Sequence, residues 1–403
     1  MTRRTLHSAG VGAVIALGAA VVSVPLAGQS NRESVPPLFM TAFGDKPAPR
    51  YVTPTTPWGE PDLQGVWSSD DTEGIPMSRP AQFGNRLYLT DQEHAERTSR
   101  VQGRVKQAEN EAASTSAVSI LTNEFHNDFG RRAFPQTSLI VDPPDGHVPA
   151  YTVEGQRRPM PRGTFGNGPL DWTTDFSLYE RCITRGIPGS SLRAIYGNGQ
   201  RIVQAPGVVA VTYEMVHDTR VIYTDGRPHI GQAIRQYLGD SRARWERDEL
   251  VVETTNLTDQ TAIGGNGNGN RHSTQMKLTE RFKRVADDIV QYQVTIDDPI
   301  TYVRPFTIAY PLTPLDGGRL LPYDCHEGNL SMRQSLGAER AEDAALEADR
   351  ARGIIRPRRP IQDGLATNGR AQEPGASPGG ERDVGSGRVG APGSGRGGDT
   401  EPR

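Results

Sequence analysis

Cysteine is scarce in this chain, and charge imbalance is nearly absent. Two cysteines in 403 residues are too few for a four-thiolate metal centre, which leaves a single disulfide as their natural use. Lys and Arg number 45 against 48 Asp and Glu, a net charge of −3, so composition gives no case for nucleic acid or an anionic membrane surface as a partner. Zinc, phosphate-loop and calcium-loop signatures are missing too. The run Gly264-Gly265-Asn266-Gly267-Asn268-Gly269 has no strand-to-helix crossover around it and reads as a flexible hairpin loop. Gly186-Ile187-Pro188-Gly189-Ser190 lacks the G-x-S-x-G order, which makes Ser190 and Ser191 poor nucleophiles. No metal and no cofactor are expected.

Long hydrophobic runs are also lacking, with one exception. Arg3 and Arg4 precede an apolar stretch over residues 11–27 that ends in small residues. It falls short of the roughly 20 residues of a membrane span and reads as an export signal over residues 1–28. Thr2-Arg3-Arg4-Thr5-Leu6 fits a twin-arginine route as well as ordinary secretion. The expected destination is the periplasm or the exterior, with no stable span once the signal is removed. An oxidising compartment would let Cys182 pair with Cys325. The pairing would join Tyr179-Glu180-Arg181-Cys182 to Tyr323-Asp324-Cys325-His326-Glu327-Gly328-Asn329, since a disulfide holds its two Cα atoms about 4.4–6.8 Å apart.

What the chain does have is glycine and proline, 45 and 31 of them, which point to turns and strands. Residues 29–59 form a Pro-rich extended segment. Thr90 opens a helix to about Ser119, with Glu93 at the capping-box position. Residues 142–189 read as ordered loops laid against a core. Short alternating strands then follow. Residues 202–205 lead through Pro206-Gly207 to 208–215, and hairpins turn at Arg247-Asp248 and at Ala286-Asp287-Asp288. Strands over 302–312 and 320–325 complete an antiparallel, lipocalin-like β-barrel over residues 60–350. Residues 351–403 are nearly devoid of apolar side chains and read as a disordered tail.

Alternation along strands identifies polar side chains aimed inward. His217 continues the face of Val209, Val211, Tyr213 and Met215. Glu280 lies between Leu278 and Phe282, and Arg304 shares a face with Tyr302 and Phe306. Either these residues line a ligand site, or His217 is a satisfied core histidine and Glu280 with Arg304 a buried ion pair. At the disulfide, Asp324 could orient His326 as a base; a stabilising polar rim is the alternative. Asp218 with Arg220 is either a surface ion pair or part of an Arg-rich, aromatic-flanked mouth that includes Trp245.

Pro61-Asp62-Leu63-Gln64-Gly65-Val66-Trp67, the two cysteine segments, His217-Asp218-Thr219-Arg220 and Glu253-Thr254-Thr255-Asn256 together resemble a family of largely uncharacterised secreted bacterial proteins. The resemblance covers residues 57–338 and implies export and a shared fold, without assigning catalytic residues. Gly65-Val66-Trp67 is similar to the G-x-W of lipocalin-like (calycin) barrels.

Two functions are expected from this reading. One is a cofactor-independent hydrolase, lyase or isomerase acting on a small polar or amphipathic molecule. His217 or His326 would transfer the proton, with Glu280 and Glu327 as carboxylate partners, while Arg181, Asp218, Arg220, Arg304, Trp245 and Tyr292 bind substrate. The other is a periplasmic carrier in which the same residues orient a ligand. A structural envelope component is a third possibility, and the oligomeric state is left open.

Overall fold

In the computed structural model, residues 50–113, 129–159, 170–194, 196–264 and 269–358 are described. The segment expected to be an export signal, most of the Pro-rich segment and residues 359–403 of the expected tail lie outside them. The strands are β1 (Gly65–Ser68), β2 (Ile140–Asp142), β3 (Gly199–Ala205), β4 (Val208–Tyr213), β5 (Thr219–Tyr223), β6 (Asp240–Glu246), β7 (Glu249–Thr255), β8 (Lys277–Ala286), β9 (Ile289–Asp297) and β10 (Phe306–Pro314). Helices among the described residues are α1 (Asp91–Ala113), α2 (Val153–Arg157) and α3 (Ser331–Ala351).

β1 and β3 to β10 pair in order, and β1 also pairs with β10, which closes a nine-stranded barrel; β2 adds to the outside of β10. One junction departs from the antiparallel expectation: β5 and β6 run parallel, with Ile222 opposite Ser241 and Tyr223 opposite Arg242. The chain crosses between them through residues 224–239, a connection of the kind parallel neighbours require. Closure removes the sheet edges that would otherwise invite pairing with other chains.

Strand alternation places the core. On β3, Gln200, Ile202 and Gln204 are buried while Arg201, Val203 and Ala205 face water. Along β10 every residue from Phe306 to Thr313 is buried, because its outer face is covered as well: Ala309 packs with Val141, Leu87 and Tyr88. The luminal rings of Phe282, Tyr292 and Tyr310 form a ladder, with centroids 4.9 and 5.2 Å apart. Such tilted pairs contribute about 0.5–1.5 kcal/mol each beyond their buried area.

The helix expected from Thr90 begins at Asp91 with its capping box formed: Glu93 N donates to Thr90 Oγ1 and Thr90 N to Glu93 Oε2. It lies on the outside, tied down by Arg97, whose guanidinium donates to the carbonyls of Phe134 and Gln136. Two elements differ from the sequence reading. Residues 320–325 form no strand but an irregular stretch that runs into a turn over 325–328, and α3 follows it. Beyond α3, Arg356 and Arg358 return to pair with Glu342, Asp349, Glu339 and Asp343.

Candidate functional site

The lumen carries an ion pair closed to solvent. Arg220 projects inward from β5 and Glu280 from β8. Nη1 lies 2.5 Å from Oε2, and Nη2 lies 3.1 Å from Oε1. Tyr292 Oη donates to Glu280 Oε1 at 2.9 Å, and Thr254 Oγ1 approaches Oε2 at 3.4 Å with Ser241 Oγ behind it at 2.9 Å. Burial disfavours the guanidinium charge, but the facing Glu280 outweighs it and holds Arg220 more firmly protonated than usual. Burial pushes the Tyr213, Tyr292 and Tyr310 phenols upward, so they remain neutral hydrogen-bond donors.

One end of the barrel is plugged by residues 184–192, almost all of them buried. The plug fits because two of its residues have no side chain. Gly186 sits at φ +69° where a Cβ would come within 2.6 Å of Thr261, and at Gly189 a Cβ would lie 2.7 Å from the Gly264 carbonyl. Tyr310 Oη donates to the Ser191 carbonyl and Ser191 Oγ to Tyr213 Oη at 3.4 Å, which fastens the plug to the luminal tyrosines. Arg185 is buried in the plug, donates to the Leu192 carbonyl at 2.7 Å, and feels Tyr179 and Tyr323 as well as Tyr213 and Tyr310. Burial pushes its guanidinium down to about 10, so it stays cationic at neutral pH.

Above the plug lies the rim, stapled by a Cys182–Cys325 disulfide with Cα atoms 5.6 Å apart. Asn329 Nδ2 donates to the Glu180 carbonyl at 3.2 Å, so the two cysteine segments meet as the pairing implied. The hydroxyls of Tyr179 and Tyr323 each lie 3.5 Å from that of Tyr196. Burial and the Tyr196 hydroxyl push the Tyr323 phenol up to about 12. Non-glycine residues with positive φ gather here: Cys182 at 56°, Val216 at 65° and His217 at 48°. A β-branched residue in the left-handed region is strained, and such strain is concentrated at functional sites.

The sequence-nominated residues divide. Glu280, Arg220 and Tyr292 form the luminal network, although Glu280 pairs with Arg220 and not with Arg304. Arg304 precedes β10, is exposed and pairs with Asp142. His217 does not point inward. β4 ends at Tyr213, and the left-handed turn at Val216 and His217 breaks the alternation and turns the imidazole to solvent, where Nδ1 meets the Tyr323 carbonyl at 3.1 Å. Asp218 is no partner of Arg220; it accepts from Thr184 Oγ1 at 2.5 Å, and burial raises its carboxyl above the usual range. His326, Glu327 and Asp324 are exposed, and no hydrogen bond joins His326 to Asp324 among the described residues. Arg181 is half-buried beside Cys182. Trp245 packs against the luminal core, but it lies four residues beyond Ser241, about 13 Å along β6.

An oriented imidazole does exist, elsewhere. At the parallel β5–β6 junction, His229 Nδ1 lies 2.8 Å from Asp240 Oδ2 and His229 Nε2 lies 3.5 Å from Glu253 Oε1. Asp240 is itself fixed by Ile230 N at 3.0 Å and by Arg242 Nη1 at 2.6 Å. His229 escaped the sequence reading because it sits in the crossover, where no periodicity operates; the visible signal was the Asp240-Ser241-Arg242 run that receives it. Compared with protein-family models, with curated proteins and with solved structures, the chain matches none.

Proposed function

We propose that this protein is an exported binding protein that takes one small polar or amphipathic organic molecule at the plugged end of its barrel. One observation carries the reading: Arg220 spends both terminal nitrogens on Glu280, yet its buried Nε has no partner. An unsatisfied buried donor costs about 1–3 kcal/mol, more on a charged group, unless something accepts from it. The plug's Ser190 hydroxyl is likewise buried and unpartnered. A ligand acceptor would relieve the Arg220 donor, while Tyr292 and Thr254 hold the ion pair in place. The Cys182–Cys325 bridge and the N-terminal apolar run favour the periplasm or the exterior as the destination.

The binding reading predicts a stoichiometric small-molecule adduct in native mass spectra of protein purified from the periplasm, lost on denaturation. Bare protein in those spectra, together with no melting shift from any fraction of a small-molecule extract, would overturn it.

A second reading, acid–base catalysis, is favoured by His229, whose Nδ1 is oriented by Asp240 as a general base requires. Under this reading His229→Gln lowers turnover about 100-fold or more with an unchanged melting temperature. Equal turnover in the variant would dismiss it.

A further inference from the structure

Two glutamines share the inner face of β3, and their situations are opposite. The Gln204 amide is fully engaged, donating to the Pro61 carbonyl at 3.1 Å and accepting from Leu63 N at 2.7 Å. Four residues earlier, Gln200 is 1 % exposed, yet neither its Oε1 nor its Nε2 has a partner. Gln204 is explained by the turn it ties down. Gln200 ties down nothing, and an amide buried with both ends idle is among the costlier arrangements in a protein interior.

Register supplies its surroundings. Gln200 lies between Trp67 on β1 and Tyr213 on β4. The Trp67 indole N–H is committed to the Leu63 carbonyl at 3.0 Å, so the ring offers Gln200 only an apolar surface. Tyr213 is held neutral by burial and is capped by Ser191 from the plug. The setting therefore combines one idle donor, one idle acceptor beside it, aromatic neighbours on both flanking strands and a plug loop that touches one of them through Ser191.

Resting on the binding reading above, we infer that Gln200 recognises a planar cyclic amide edge, a ring C=O next to a ring N–H, as in a lactam, an imide or a nucleobase-like heterocycle. The ring carbonyl accepts from Gln200 Nε2 and the ring N–H donates to Oε1, two parallel hydrogen bonds of the kind a carboxamide makes with a base edge. A site built to satisfy such a pair rejects an analogue that lacks one member, because its own buried group is then left unpaired.

The test is calorimetric titration of the full chain with 2-pyridone and with N-methyl-2-pyridone, which keeps the ring and the carbonyl but lacks the donor. Expected is binding of 2-pyridone that is at least about tenfold tighter than that of its N-methyl analogue, consistent with one lost hydrogen bond to a buried group. Gln200→Leu should lose that preference while melting at or above the wild-type temperature, since it removes an unsatisfied amide. Equal affinity for the two probes, an unchanged preference in the variant, or no binding of either probe would overturn the inference. A native-mass adduct that survives those negative results would leave the binding reading standing and this one refuted.

Discussion

Glu280 has no exposed surface, and it survives there because Arg220, Tyr292 and Thr254 saturate it. Removing one partner of such a pair strands the other, so Glu280→Gln should cost about 3–5 kcal/mol in urea unfolding. Replacing both, as Arg220→Met with Glu280→Leu, should cost far less than the sum of the two single changes; strict additivity would show that the pair is not coupled. His272 gives a second check. Burial lowers its affinity for a proton, while Nδ1 meets the Ser273 carbonyl at 3.2 Å and Nε2 meets Thr261 Oγ1 at 2.9 Å. Above an ordinary imidazole value of about 6.5, folded and unfolded chains are both neutral at this position and the term vanishes. Below it the unfolded chain takes up a proton that the folded one resists, so stability falls as the pH drops from about 6.5. His272→Gln should flatten that slope between pH 7 and 5; an identical slope would assign the acid sensitivity to other groups.

At the level of elements, the alternation rule was legible wherever a strand continued and failed where one ended. It placed Glu280 inward because β8 runs unbroken past it, and it misplaced His217 because β4 stops at Tyr213. Arg304 failed for the mirror-image reason, lying just before β10 begins. The helix α3 left little signal, since Leu336 and Glu339 are its only buried residues and a stripe of apolar side chains never develops. The two cysteines were legible as a pair because no third one competes. Their bridge closes 143 residues, and loop-closure entropy gives it about 5 kcal/mol of stabilisation. Cys182→Ser with Cys325→Ser should lower the melting temperature and let protease cut within 320–330 before the barrel. Intact protection of that segment in the double variant would show that the rim holds itself together without the staple.

For the molecule as a whole, hairpin turns announced most of the barrel and its closure was expected, whereas the pair of strands that closes it did not appear in the sequence. Pairing of β1 with β10 joins residues almost 250 positions apart, Trp67 opposite Pro314, and nothing local encodes it. The parallel β5–β6 junction was equally hidden, since residues 224–239 carry turn residues that fit a hairpin as readily as a crossover. His217 and His326 lie on the outside and Glu280 is clamped by Arg220, which is why the binding reading is proposed ahead of the catalytic one. An experimental electron-density map of the full chain purified from its own cells tests this most directly. Continuous non-protein density is expected against the Gln200 amide, reaching the Nε of Arg220. A lumen at that end filled by protein side chains, or holding only water, would contradict it.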